Sequence, residues 1–311
     1  VTQSEHSSSK SPFRDLGLAI GIDLGGTRIK GIVMDAKGKT LHQLYTPTND
    51  GNSAVWKNAV ADTLNELLNK VQGDGGVVGI SAPGLPTADN TAIAYMPGRM
   101  QGLENFTWKE FLQKPTYVLN DAVAALLAET TFGAAKNKKH VVMLTLGTGV
   151  GGAILIDGKP YQGAFNKAGH IGHMVINDEM DCDITGMPGS LEECIGNCTI
   201  EKRSKGRFTS THEMLQAYNS GDTLAKEIWL KSVRQLAIGL ASITNILSPE
   251  MIILGGGIAE ADNLLFEPLN NYMADYEWRT GGNKVQIAKA LYGDFAGSVG
   301  AASFAMSKVY Q

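Results

Sequence analysis

The chain carries one supersecondary pattern twice. Residues 22–41 read IDLGGTRIKGIVMDAKGKTL and residues 144–163 read LTLGTGVGGAILIDGKPYQG. Each stretch opens with an apolar strand, turns on glycine and threonine, resumes an apolar strand, and reverses at Asp, Gly and Lys. With one residue of slack, Leu24 falls on Leu146, Ile32 on Ile154 and Asp35 on Asp157. Each half then adds a helical stretch and a further strand: residues 52–71 precede VVGISAPG in the first, and residues 224–247 precede EMIILGGGIAE in the second. Self-similarity at this distance is too long for a solenoid and fits a duplicated domain. The predicted order (strand, Gly-turn, strand, strand, helix, strand, helix, given twice) describes two α/β domains, each with a mixed sheet.

The second turn invites a different interpretation. Gly147, Gly149 and Gly152 satisfy G-x-G-x-x-G after an apolar strand, the signature of a dinucleotide site. That fingerprint requires a helix to open at the glycines and an acidic residue about 20 positions further on. Here the glycines run into Ala153-Ile154-Leu155-Ile156 and then Asp157-Gly158, a hairpin-turn dipeptide. A second strand is predicted instead of a helix, and a NAD-dependent oxidoreductase is set aside. One Gly/Thr hairpin is commonly just a tight turn. Two at matching positions of a duplicated domain, facing each other across a cleft, suit a polyanion such as a nucleotide triphosphate. Backbone N–H groups and the Thr27 and Thr148 hydroxyls would surround it.

Totals narrow the class further. The 311 residues include 37 glycines and three cysteines, with a net charge of −4. No apolar run reaches the ~20 residues of a membrane span, and the mild acidity argues against nucleic acid as a partner. An odd, small number of cysteines points to a reducing, cytoplasmic setting, not to a disulfide framework. Residues 1–16 are polar and Ser-rich and read as a disordered tail. The first domain is expected over 17–125 and the second over 126–297, with the Ala-rich helical run 298–311 a candidate to pack back on the first.

IGIDLGGTRIKGIVMD, GISAPG, LNDAVAALLAE, LTLGTGVGGAILIDGKPYQGA, AGHIGHM, GSLEE and ILGGGI occur in this order. The set resembles the ROK family (repressor, open reading frame, kinase), glucokinase-like sugar kinases and repressors of the actin-like, hexokinase-like ATPase fold. The likeness runs over nearly the whole chain after about residue 16. It implies two similar ribonuclease H-like α/β domains with mixed sheets and an interdomain cleft. Family repressors carry an extra N-terminal helix-turn-helix domain; only a short polar stretch precedes Leu18 here, which favours a kinase.

Phosphoryl transfer needs positioning, charge neutralisation and an acceptor for the sugar hydroxyl's proton. Asp121 follows the predicted strand 116–119 and opens a helix, where the dipole should favour the ionised carboxylate. An Asp there also reads as a plain N-cap. The resemblance implies that it is the general base, with Asn120 beside it as a sugar ligand. Asp23, at the end of an otherwise apolar strand, is a candidate to hold Mg²⁺ through water, or simply to bond its own turn. By resemblance, Gly25, Gly26 and Thr27 meet the terminal phosphates of ATP, with Thr148 and Gly149 opposite, and Gly255, Gly256 and Gly257 approach the adenosine. Ser81, Pro83, Gly84 and Gly98 would complete the sugar pocket, and Glu192 of GSLEE would supply a further sugar-binding carboxylate.

Two departures from the family pattern stand out. The family has Glu followed three residues later by His, both on the sugar. Here His170 replaces the Glu and His173 is kept, which puts glucose specificity in question and leaves sugar binding intact. Many relatives also hold structural zinc through that same His and three cysteines in a C-x-C-G-x-x-G-C-L-E run. This chain reads CDITGMPGSLE, with Ile184 and Ser190 at two of the cysteine positions. Neither side chain replaces a thiolate on zinc. Cys182, Cys194, Cys198 and His173 could rebuild a site only with new spacing, Cys194 and Cys198 lying four apart on one predicted helix face. No zinc of the family type is expected. The sequence thus predicts an ATP- and Mg²⁺-dependent kinase of a hexose or hexose derivative, a homodimer by family analogy, whose domains close over the sugar to exclude water. The alternative is a sugar-sensing or regulatory protein of weak catalytic power.

Overall fold

A computed structural model of the chain describes residues 17–71, 76–96, 98 and 100–309. The stretch 1–16, read above as a tail, and residues 310–311 of the last predicted helix lie outside the described residues. The chain divides into two compact units, one running to Ala128 and resuming at Phe295, the other spanning Glu129–Asp294.

The first unit opens with strands β1 (Ala19–Leu24), β2 (Arg28–Met34) and β3 (Thr40–Pro47), followed by helix α1 (Ser53–Val71). Strand β4 (Val77–Ala82) leads to a small hairpin of β5 (Leu85–Pro86) and β6 (Ile93–Tyr95), then to α2 (Trp108–Leu112), β7 (Thr116–Asn120) and α3 (Asp121–Thr131), whose last residues belong to the second unit. The sheet order is β3-β2-β1-β4-β7, antiparallel through β3, β2 and β1 and parallel from β1 through β4 to β7. Burial follows position. Strand β3 alternates between half-buried and exposed residues as a sheet edge does, whereas every residue of β4 is buried. Helix α1 buries Trp56, Val60, Thr63, Leu64 and Leu67 on one stripe, against a core that includes Ile29, Ile80 and Val118.

The second unit repeats this topology. Strands β8 (Val141–Leu146), β9 (Val150–Ile156) and β10 (Lys159–Pro160) form the antiparallel part. The short helices α4 (Leu191–Ile195) and α5 (Ile200–Arg203) precede α6 (Thr211–Asn219) and the long α7 (Thr223–Leu247), which Asp222 caps by accepting from Ala225 N at 2.9 Å. Strand β11 (Met251–Gly255), helix α8 (Asn263–Tyr276) and strand β12 (Gln286–Lys289) complete an order β10-β9-β8-β11-β12, with β11 parallel to both β8 and β12. The buried indole of Trp229 on α7 donates to Leu264 O at 2.8 Å and so ties α7 to α8.

The last helix, α9 (Ala296–Val309), belongs to the first unit. Gly21 of β1 and Gly79 of β4 are register partners, and a Cβ at either would lie 1.9 Å from a carbonyl of α9, that of Ser298 or Ala301. Glycine at both positions lets a helix backbone lie directly on a sheet backbone. Ser298 Oγ then donates to Lys30 O at 2.8 Å, fixing the helix's place along the strands. Where the chain crosses between units, buried Glu129 accepts from Ala134 N at 2.9 Å, Leu291 N at 2.7 Å and Tyr292 N at 2.9 Å. One carboxylate thus fastens the segments beside both crossings and is itself satisfied by backbone donors. Among the described residues no helix is long and apolar enough to cross a membrane.

Candidate active site

In the first unit the acidic residues gather at the ends of the parallel strands, where ligands of open α/β sheets are held. Asp23, on β1, is largely buried. Its Oδ1 accepts from Ser81 Oγ on β4 at 2.7 Å and its Oδ2 meets Lys30 Nζ at 3.2 Å. A Cβ at Gly297 would stand 2.5 Å from Asp23 Oδ1, so the first turn of α9 also comes up to this carboxylate. Asp121 opens α3. Its carboxyl is pushed up to about 6, first by desolvation and then by the charge of Asp23; the Ala122 N–H, 2.8 Å from Oδ1, opposes this. The helix start was expected to favour the ionised form. Crowding and the like charge outweigh it. Asp121 keeps an exposed surface of its own, so its carboxyl is crowded by neighbouring atoms and not sealed in a core.

The N-cap role falls to the neighbour. Asn120 Oδ1 accepts from Ala122 N at 3.0 Å and Val123 N at 3.3 Å, while its Nδ2 donates to Gly84 O at 3.0 Å. Asn120 therefore joins the S-A-P-G turn to the head of α3, and its side chain also hydrogen-bonds the Asp121 carboxyl beside it. Gly98 lines a recess of about 630 Å³ with Asp50, Met96 and Glu104.

Two Gly/Thr turns stand where the sequence places them, each between antiparallel strands. The first, 25–27, is held by a residue that sequence reasoning passes over: buried Thr48 donates Oγ1 to Gly25 O at 2.6 Å and N to Thr27 O at 3.1 Å. The second, 147–149, closes with Gly147 N donating to Gly149 O at 2.9 Å. Asn197 N and Cys198 N donate to Gly147 O and Thr148 O at 3.0 and 2.8 Å. Glu192, 8% exposed, accepts from Val150 N at 2.8 Å through Oε2. A Cβ at 149 would fall 2.1 Å from that oxygen, so glycine there makes room for the carboxylate. Glu192, predicted to bind sugar, has one oxygen committed to the hairpin.

Beside this hairpin lies a recess of about 600 Å³, lined by Gly147, Thr148 and Gly257 and walled by apolar Leu215, Ile258 and Leu264 together with polar His212 and Gln216. Gly256, just before it in sequence, adopts φ 85°, and a Cβ there would lie 2.4 Å from Leu146 O. A flat, partly apolar group joined to an anion suits such a lining.

His170 and His173 flank a short 3₁₀ turn over Ile171–His173. His170 is exposed, and its Nδ1 lies 3.0 Å from Lys167 O. A carbonyl only accepts, so Nδ1 carries the hydrogen. Desolvation and His173 hold His170 below its ordinary value, against that hydrogen bond. The neutral ring leaves Nε2 as an acceptor, the same polarity as the carboxylate it replaces. His173 Nδ1 lies 2.8 Å from Asp183 Oδ2. Burial would raise Asp183, yet hydrogen bonds from the Thr185 hydroxyl, His173 and the N–H groups of Thr185 and Met187 carry it well below the usual carboxylate range. Asp183 was also missed; its legible signal is the run Asp-x-Thr-Gly, which favours an Asx-turn.

The cysteines do not assemble. Cys194 is buried on α4, with desolvation pushing its thiol up to about 11, while Cys182 and Cys198 are exposed. Helix α4 ends at Gly196 and Cys198 sits in a separate 3₁₀ turn, so the expected shared helix face does not exist. Zinc needs thiolate or free imidazole donors. A buried thiol held protonated and a His173 Nδ1 already bonded to Asp183 do not fit it. Among the described residues no three His, Cys, Asp or Glu side chains gather as ligands of one metal.

The pattern that defines the ROK family matches residues 19–308. The chain belongs to the ROK family. A glucokinase from Halalkalibacterium halodurans is 29% identical over 308 residues, covering 90% of this chain and 92% of the relative. A ROK hexokinase from Thermus thermophilus superposes with TM-score 0.83 at 28% identity, over 94% of this chain and 99% of that one. A ROK-family glucokinase from Streptomyces griseus, solved with glucose and AMPPNP, gives TM-score 0.79 at 25% identity over 94% and 100%. These likenesses establish the actin-like ATPase fold for this ROK protein and support hexose kinase activity at the level of the family.

Proposed function

We propose that this ROK protein transfers the terminal phosphoryl group of ATP to a hydroxyl of a hexose or hexose derivative, with Asp121 accepting the hydroxyl's proton. The observation that carries this is the state of Asp121, a carboxyl raised to about 6 by desolvation and by Asp23. A base with that affinity is ionised at neutral pH and is still a better proton acceptor than an ordinary aspartate. Asn120, whose amide bonds Gly84 and the Asp121 carboxyl, and His170 and His173, through Nε2, are the groups assigned to sugar hydroxyls. The recess beside Thr148 and Gly257 is assigned to the nucleoside, and the two Gly/Thr turns to its phosphates. An AMPPNP complex of the Streptomyces griseus relative supports ATP as donor.

Mg²⁺ fits the first unit on chemical grounds. Asp23 and Asp121 interact as like charges, which a cation relieves, and Asp23 keeps unused lone pairs beside Ser81 and Lys30. The ion needs few protein ligands, since substrate phosphates and water complete its shell. When bound it would neutralise charge developing on the transferred group. The test is ADP release from Mg-ATP against a panel of hexoses, N-acetylhexosamines and pentoses, with Asp121→Asn beside the wild type. One sugar should turn over, with kcat falling on the order of 10³-fold in the variant while sugar binding persists. A silent panel with sugar binding intact would overturn the kinase in favour of a sugar sensor.

A further inference from the structure

Asp183 has no role in the function proposed above, yet its side chain is fully buried and heavily hydrogen-bonded. Oδ1 accepts from Thr185 N at 2.8 Å, Thr185 Oγ1 at 2.7 Å and Met187 N at 3.1 Å, and Oδ2 faces His173 Nδ1 at 2.8 Å. Its backbone closes the same loop: Asp183 N donates to Met187 O at 2.9 Å and Gly186 N to Asp183 O at 3.0 Å. The loop is anchored at its base by the bridge between Val175 and Ser190. A bonding pattern this complete on one buried carboxylate orients whatever it holds. What it holds besides its own loop is an imidazole.

An ionised carboxylate can only accept, so the shared hydrogen sits on His173 Nδ1. Which ring nitrogen carries the proton is set by the bond the other makes. In a neutral ring that leaves Nε2 as a bare lone pair. The sugar hydroxyl it meets must then donate.

We propose that Asp183 is a positioning residue that locks His173 in the Nδ1–H tautomer, so that Nε2 selects a donating sugar hydroxyl. This rests on the reading of His173 as a sugar ligand. Asp183→Asn probes it while nearly preserving shape. The amide can present its NH₂ to Nδ1, which moves the ring hydrogen to Nε2 and turns the acceptor into a donor. A structural residue alone would not switch the tautomer and the sugar affinity together.

Two readouts are made on the whole protein. The first is the ¹⁵N shift pattern of the His173 ring in the wild type and in Asp183→Asn, assigned with His173→Gln, and it needs no activity. The second is the KM for the sugar against the KM for ATP and kcat. The expected result is Nδ1–H in the wild type, a switch in the variant, and a sugar KM raised about tenfold or more with kcat and the ATP KM within about twofold. An Nε2–H wild type overturns the proposal, whether or not the variant folds. So does stoichiometric zinc in the protein as purified, with His173 shifts that move on chelation, or a switched tautomer with an unchanged sugar KM. If no sugar turns over, the function proposed above has failed; the wild-type tautomer still decides whether Asp183 sets the ring.

Discussion

The two Gly/Thr turns sit at the same place in sheets of the same strand order, yet they are built differently around the turn. In the first, the strand entering the turn carries Asp23, which is bonded to Ser81 and Lys30 and raises Asp121. In the second, the matching residue of the repeat is Thr145, neutral and half-buried. The fastening differs too. One neutral hydroxyl and a backbone N–H of Thr48 hold the first turn, whereas the buried carboxylate of Glu192 and the N–H groups of Asn197 and Cys198 hold the second. Duplication preserved the turn and its flanking strands. The carboxyl raised to about 6 lies in one copy, and the recess beside Thr148 and Gly257 in the other.

The sharpest way to break this comparison is at Asp23. Asp23→Asn should lower kcat/KM by about 10²-fold or more, since on the function proposed above the carboxylate that would hold Mg²⁺ is lost, whereas Thr145→Val should change it little. Steady-state kinetics on both decides; equal losses would refute the division of labour. The pH profile sharpens it. Below about 6 the Asp121 carboxyl is protonated and cannot accept, so kcat/KM should rise with pH up to about 6 and level off above. In Asp23→Asn the limb should move to lower pH, because a like charge that favoured the protonated form is gone. An unmoved limb would mean that the titrating group is not Asp121.

Smaller effects follow at the fastenings. Glu192→Ala strands the buried Val150 N–H and opens a cavity, and should destabilise the protein by about 2–3 kcal/mol in denaturant unfolding. Thr48→Val keeps the Thr48 N–H bond and the shape and loses one hydroxyl bond, so about 1 kcal/mol is expected. Should Thr48→Val cost as much as Glu192→Ala, the contrast between a charged and a neutral fastening would fall.

The residues that sequence reasoning finds and misses divide along the same line. The repeat, the turns, and Asp23 and Asp121 at strand and helix junctions are legible because strand period, turn composition and helix-start signals act over a few neighbouring residues. Thr48 reaches Gly25 across 23 positions and Glu192 reaches Val150 across 42. No local pattern marks such a bond, and a buried Thr after a strand resembles any other. Glu192 illustrates the gap well. Its position follows from the resemblance, but the commitment of one oxygen to a backbone N–H follows only from packing. Asp183 lies between, since its Asx-turn is local while its grip on His173 depends on how the loop folds back. For Asp121 the local rule itself points the wrong way; the dipole at its helix start is outweighed first by desolvation and then by Asp23, which is 98 positions earlier in sequence.

The glycine-lined seat of α9 on β1 and β4 has a consequence for the order in which the molecule can be made. A ribosome emits the sheet of the first unit long before residues 296–309, and the whole second unit emerges in between. Until α9 arrives, the Gly21–Gly79 face lacks its cover, and exposed apolar surface in a nascent chain invites aggregation. The second unit, continuous from Glu129 to Asp294, is under no such delay. The unit synthesised first is therefore the one completed last, and a chain stalled before α9 would leave it unfinished while its later-made neighbour folds.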